Sequence, residues 1–312
     1  MTTQRGSGVS RRSALRTVGV AALGGVAGCV GDGTVPVSLL SAGSLARTFE
    51  DHAGPAFEDA TGHRVDGEYY GSNAVMRRVE DDLAAPDVIV SADATLLRDR
   101  LYGTVTDWDV AFASNSLGMA YKPETAVGQR LAEGTPWYTV AVESESGAIA
   151  ISDPDLDPLG YRAVMAFELA AAEHGLDDFR ERLLRQVYRE PAEPQLLAGV
   201  ESGNRAAAIA YRNMAVEHDL PFVAFPPAYS FGRLALADHY ATVSYTTDEG
   251  YTARGRPVIY SATVHSEASN PAAGRQLVQF LVDNPSLLTD TGLTVGPNLP
   301  RTHGTPPEAI TG

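Results

Sequence analysis

Among 312 residues there is one cysteine, Cys29, and one lysine, Lys122. A lone cysteine excludes an internal disulfide and a zinc knuckle, and its place beside the N-terminal apolar run excludes a cysteine-based active site. The scarcity of lysine belongs to a wider imbalance, since 24 basic against 39 acidic residues leave a formal net charge of -15. Residues 1–28 hold four arginines (Arg5, Arg11, Arg12, Arg16) and no acid, so the remainder carries 20 basic against 39 acidic residues, a net of -19. Such acidity argues against nucleic acid, or an anionic membrane surface met through a basic patch, as a partner. An acid excess almost without lysine keeps a surface hydrated in concentrated salt and points to a salt-loving source.

Catalytic signatures are missing too. There is no G-x-x-x-x-G-K-[ST] phosphate loop and no G-x-S-x-G nucleophile elbow. Lys122 lies in Tyr121-Lys122-Pro123 without Ser-x-x-Lys spacing, and the seven histidines form no i, i+4 pair for zinc. Asp153, Asp155 and Asp157 alternate like a calcium loop, but its sixth position is Pro158 and its twelfth is not glutamate. With no nucleophile–base pair to name, the expected role is binding, not catalysis, and no cofactor is expected.

What is present begins with an address. Ser10-Arg11-Arg12-Ser13-Ala14-Leu15 carries twin arginines, and residues 18–27 are apolar, small, and too few to span a bilayer. Val26-Ala27-Gly28-Cys29 follows and resembles a lipobox. The expectation is a twin-arginine signal over 1–28, a lipid on Cys29 tethering the protein at the extracellular face of the membrane, and a linker over 29–35.

Beyond it, the pattern alternates. Residues 35–40, 65–70 and 87–91 read as strands, separated by helical periodicity from Leu45, broken at Gly54-Pro55, and from Ala74. This βαβ rhythm implies a parallel sheet, whose ligands bind beyond the carboxyl ends of its strands. Ser44 and Ser72 fall at that edge. An extended stretch over 108–121 predicts a crossing to a second α/β unit, and 240–245 a crossing back. Lobe one is therefore expected over 36–115 and 241–312, and lobe two over 116–240.

The stretch Ser152 to Arg162 organises the rest. An apolar strand, 148–151, enters it and a helical segment, 161–174, leaves it, with two prolines and a glycine in the turn. The first amides of such a helix lack partners and carry partial positive charge, so a small anion suits the geometry. The other donors at loop–helix junctions, Ser44, Ser72 and Tyr229, are neutral as well.

Several segments resemble one family. They are Ser41-Ala42-Gly43-Ser44-Leu45, the run from Ala85 to Asp93, Asp107-Trp108, Phe112 to Asn115, Ser152 to Arg162, Leu196-Leu197 with Glu201-Ser202-Gly203, Tyr211-Arg212, and Gly255 to Tyr260. In order and spacing they resemble the archaeal tungstate/molybdate-binding lipoproteins of ABC importers, over roughly residues 36 to 290. The resemblance implies a two-lobed type II periplasmic-binding-protein fold. Each lobe would be a mostly parallel sheet flanked by helices, with the oxyanion in the interlobe cleft. It implies a membrane permease and an ATPase as partners, and the protein itself is expected to be a monomer.

By the same resemblance, Gly43 and Ser44 form the first anion-binding turn and Ser72 the second. Asp157, Pro158 and Leu159 reach the anion from lobe two, with Asp157 facing the metal as a candidate direct ligand. Tyr229 extends its hydroxyl to the oxyanion. Two positions depart from the family: Ala210 stands where a second carboxylate is usual, and Leu159 where cysteine is usual. Rival ligands are sulfate or phosphate, and ferric iron held by Tyr69-Tyr70.

Overall fold

Short apolar runs become the central strands of two separate sheets in the computed structural model, which describes residues 35–310. The first sheet contains β1 (Val37–Ala42), β2 (Val65–Tyr70), β3 (Val88–Ser91), β4 (Trp108–Ser114), β12 (Ile259–Val264) and β13 (Arg301–Gly304), in the order β13-β4-β12-β3-β1-β2. The second contains β5 (Leu117–Tyr121), β6 (Ile149–Ser152), β7 (Tyr188–Glu190), β8 (Ala207–Tyr211) and β9 (Phe222–Ala224), in the order β7-β6-β8-β5-β9. A small hairpin, β10 (Ser244–Thr246) and β11 (Thr252–Arg254), stands apart. Each large sheet with its helices makes one lobe.

Strand alternation decides which face meets which helices. In β1, Val37 and Leu39 enter the main core with Phe49, Phe57, Leu277 and Leu281. Leu40, one position further and so in the opposite phase, turns to the other face and packs with Val75, Met76, Val79 and Leu97. Both faces are covered, so apolar residues occur on both phases of the strand.

Both sheets are mixed, not mostly parallel. β1 runs parallel to β2 and β3, but β12 is antiparallel to β3 and β4. β6 is parallel to β7 and β8, but β5 is antiparallel to β8 and β9. The cause is where the chain changes lobes. β1, β3, β4, β6 and β8 end at the interlobe side. β4 ends at Ser114 and β5 starts at Leu117, so β5 begins there. β12 also starts there, where the Val258 amide bonds the Phe231 carbonyl at 2.8 Å. Strands that begin at the cleft run against those that end at it, and periodicity carries no sign of this.

The helical run after β1 also differs from expectation, because Gly54-Pro55 does not interrupt it. A π turn, Thr48–Ala53, passes directly into the helix Gly54–Thr61, with the Gly54 amide bonded to the Phe49 carbonyl five residues back. The wider turn accommodates a proline that lacks an N–H and would clash with an α-helical carbonyl. The helix Pro158–His174 starts at its Asp157 cap and stops at Gly175, which is left-handed at φ 64°. No helix among the described residues is long and apolar enough to cross a membrane. The export signal and Cys29 lie outside the described residues.

Candidate functional site

Four turns meet where the lobes face each other. Lobe one supplies the 3-10 turn Gly43–Leu45 after β1, and Gly71 with the helix Ser72–Glu80 after β2. Lobe two supplies the turn ending at Asp157 after β6, and the 3-10 turn Glu193–Gln195 after β7. Two glycines permit the approach. A Cβ on Gly71 would lie 2.4 Å from both the Asp157 Cβ and the Leu156 carbonyl oxygen. A Cβ on Gly43 would lie 2.8 Å from Pro194 Cδ and 2.9 Å from Glu193 Oε2. The Ala74 amide bonds the Leu156 carbonyl at 3.3 Å, joining the lobes directly. An open cleft of about 670 Å³, lined by Ser44, Glu50, Tyr69, Leu156 and Glu193 among others, leads to these turns.

Both serines are buried and held so that a proton remains to give. Ser44 Oγ accepts from the Tyr260 hydroxyl at 3.1 Å, and Ser72 Oγ accepts from the Ala92 amide at 3.0 Å. A hydroxyl that accepts from protein keeps its own O–H for another acceptor. Asn213 Nδ2 fixes the Ser44 carbonyl at 2.7 Å, while Asn115 Nδ2 bonds Asn213 Oδ1 at 2.7 Å and the Tyr260 hydroxyl at 3.2 Å. These four residues close a ring of hydrogen bonds that positions the first turn. The Asn73 amide group, beside Ser72, is fully buried with neither polar atom bonded.

Asp157 is fully buried and caps its helix, with Oδ1 accepting from the Gly160 amide at 2.9 Å and Oδ2 from the Ser152 hydroxyl. Burial pushes its pKa up to about 7, against the opposing pull of those hydrogen bonds. Its carboxylate oxygens are thus engaged by their own turn, as a cap, in this structure. Pro158 and Leu159 are buried behind it as the first helical residues. Ala210 lies fully buried within β8, opposite Gly118.

A buried ion pair joins the lobes next to these turns. Arg162 Nη2 meets Asp93 Oδ2 at 2.7 Å, and Arg162 Nη1 reaches the Ala92 carbonyl at 3.2 Å and the Tyr211 hydroxyl at 2.9 Å. The Tyr161 hydroxyl also donates to Asp93 Oδ2, at 2.7 Å. Ala92 therefore touches both the arginine, through its carbonyl, and Ser72, through its amide.

Tyr229 is a correction. Its hydroxyl bonds Trp137 Nε1 at 3.2 Å and His174 Nε2 at 3.0 Å, inside an aromatic cluster of lobe two that includes Phe225. The tyrosine that bonds Ser44 is Tyr260, and Tyr211 stands beside Arg162. In the Tyr69-Tyr70 pair, Tyr70 donates to Glu68 at 2.9 Å, and burial together with Glu50, Asp51 and Asp66 raises the Tyr69 pKa. Among the described residues no three histidine, cysteine or carboxylate side chains converge as a metal site.

Sequence reasoning missed Glu193 and Glu217. Glu217 borders the cleft, accepts from the Thr48 hydroxyl and from Asn213 Nδ2 at 3.2 Å, and is pushed up to about 8 by burial. Its pKa is raised on folding, so its stabilising contribution is complete below the unfolded value of 4.5 and is lost as pH rises through about 8. Asp157 acts in the same direction through about 7. The ligand-free protein is therefore expected to melt highest near pH 5 and progressively lower toward pH 8.5 at constant high salt. A melting temperature that stays level or rises across that window would show that these acids are ionised in the folded state.

A family model described as bacterial extracellular solute-binding protein matches residues 37–292. An uncharacterized solute-binding protein of Halobacterium salinarum is 51% identical over 302 residues, spanning 97% of each chain. A molybdate/tungstate-binding protein of Thermococcus kodakarensis is 27% identical over 273 residues, spanning 78% of this chain and 77% of that one. The solved periplasmic molybdate-binding protein of Azotobacter vinelandii superposes with a TM-score of 0.60 at 16% identity, covering 83% of this chain and 99% of that one, a likeness of fold. Two mixed sheets that face each other across a cleft, entered and left by the same chain, are the two-lobed type II periplasmic-binding-protein architecture. The chain belongs to the bacterial extracellular solute-binding proteins.

Proposed function

We propose that this protein captures molybdate or tungstate outside the cell and delivers it to an ABC importer composed of a permease and an ATPase. The observation that carries the ligand class is the pair of buried serines. Ser44 and Ser72, on separate turns of lobe one, each accept one hydrogen bond from protein and keep a hydroxyl proton for an acceptor. Neutral donors of this kind suit a fully deprotonated oxyanion. The likeness to the Thermococcus kodakarensis protein supports the choice of element. Further elements of the reading are the Gly43 amide, the Asp157–Leu159 turn reaching the anion from lobe two with the Asp157 side chain facing the metal, and tethering through a lipid on Cys29.

Thermal shift with tungstate, molybdate, sulfate, phosphate and ferric iron in high salt tests the reading. A ligand at 100 times its dissociation constant stabilises by about 2.7 kcal/mol. Shifts with sulfate or phosphate and none with a group-six oxyanion would overturn the ligand assignment. Ser44→Ala and Ser72→Ala are each expected to weaken binding roughly ten- to a hundredfold, since a hydrogen bond to a charged group is worth about 1.5–3 kcal/mol. Titration calorimetry on both variants checks this, and parent-like constants would remove the serines from the site.

A further inference from the structure

Glu193 is the least expected group in the molecule. It is 1% exposed, and neither carboxylate oxygen forms a hydrogen bond of ordinary geometry. Oε2 lies 2.9 Å from where a Gly43 Cβ would stand. Burial and the neighbouring Asp157 push its pKa well above the usual carboxylate range, against the opposing pull of the Gly43 and Ser44 amides and the Ser44 hydroxyl. A buried acid in this position calls for an explanation, because burying a carboxylate without well-formed hydrogen bonds is costly.

The donors around Glu193 are those assigned above to the first oxyanion-binding turn. A carboxylate tethered to the Glu193–Gln195 turn, with the Pro194 ring against Gly43, reaches them without aligning with them. A free tetrahedral anion can rotate until its oxygens meet the N–H and O–H directions. Glu193 belongs to lobe two, between β7 and β8, whereas the donors belong to lobe one. Opening the lobes therefore withdraws it from the turn, and closing them without ligand returns it.

We infer that Glu193 is a built-in competitor for the oxyanion: its side chain fills the Gly43–Ser44 seat when the lobes close empty, and an incoming anion must displace it. This rests on the assignment of that turn to an oxyanion. The competitor sets a threshold, since only an anion that bonds the donors better than a tethered carboxylate gains entry. Anions that bind more weakly than the group-six oxyanions are turned away by the protein's own acid.

The test is calorimetric titration of sodium tungstate and sodium sulfate into the parent, Glu193→Gln and Glu193→Ala, all in the same concentrated salt. Glutamine keeps the shape but cannot ionise, and alanine vacates the seat. Tungstate is expected to bind both variants about tenfold or more tightly than it binds the parent, and sulfate to gain measurable binding to Glu193→Ala. The ligand-free variants are expected to melt above the parent, since an unsatisfied buried acid is gone. If the parent binds tungstate and both variants bind it equally or more weakly, Glu193 is a ligand or a bystander, and the inference fails while the proposed function stands. If neither parent nor variant binds any oxyanion, the proposed function fails and the inference falls with it.

Discussion

Gly71→Ala is expected to weaken oxyanion binding by more than a hundredfold while leaving each lobe folded. The backbone at Gly71 has φ -56° and ψ 140°, which any L-residue adopts, so alanine adds no conformational strain. The single new atom instead meets lobe two, 2.4 Å from the Leu156 carbonyl oxygen and from the Asp157 Cβ. Neither neighbour is the free end of a side chain. Carbon contacts settle near 3.5–4.0 Å, so the lobes would stand apart by about 1 Å. That displacement breaks the 3.3 Å bond between the Ala74 amide and the Leu156 carbonyl, and it prevents donors of both lobes from reaching one anion together. Losing two charge-assisted hydrogen bonds removes about 3 kcal/mol or more, beyond a hundredfold in affinity. Tungstate titration measures the loss, and solution scattering would report the wider particle. Parent-like affinity would mean that the anion is held by one lobe alone.

Much of this interface was legible in the residues, and the part that was not has a physical cause. The turn from Ser152 to Arg162 is written in local rules: an apolar strand, an acid at the cap, proline at the first helical position, and glycine where a Cβ would strike the Ser152 carbonyl at 2.5 Å. Ser44 and Ser72 were legible in the same way, because strand ends in βαβ units point to one edge. Tyr229 was not. Its fate depends on Trp137 and His174, both more than fifty positions away, and nothing around Pro226-Pro227 signals them. Tyr260 escaped notice because it sits inside a strand, where an aromatic residue reads as packing.

Glu193 is the sharper case. Its neighbours Ala192, Pro194 and Gln195 read as a solvated loop, and acids in loops are ordinarily exposed. Only the close approach of lobe one buries it. Strand direction had the same character, since the antiparallel course of β12 follows from the route of the chain between lobes and not from its apolar pattern. Contacts between distant segments were what the sequence concealed, and those contacts make up much of the cleft.

Arg162→Met is expected to cost binding affinity far more than it costs the stability of the ligand-free protein. The guanidinium is 1% exposed and joins three lobe-spanning or site-forming groups: Asp93, the Ala92 carbonyl and the Tyr211 hydroxyl. Removing one member of a buried ion pair typically costs about 3–5 kcal/mol, because the other charge is left without its partner. Here the molecule has an escape. Opening the lobes returns Asp93 to water, so the cost falls on closure and therefore on ligand affinity. Asp93 also retains the Thr95 and Leu96 amides at 2.9 and 3.2 Å, which keep its helix capped. Asparagine caps a helix about as well as aspartate, so Asp93→Asn removes the charge and spares the cap. The two single variants are each expected to weaken tungstate binding by a hundredfold or more, and the double variant by less than the product of the two. Arg162→Lys is not expected to rescue, since one ammonium cannot span the three acceptors that the planar fork reaches. Titration of all four variants alongside the parent decides it. Losses that simply multiply would show that Arg162 and Asp93 act independently, and unchanged affinities would show that the pair contributes nothing to closure.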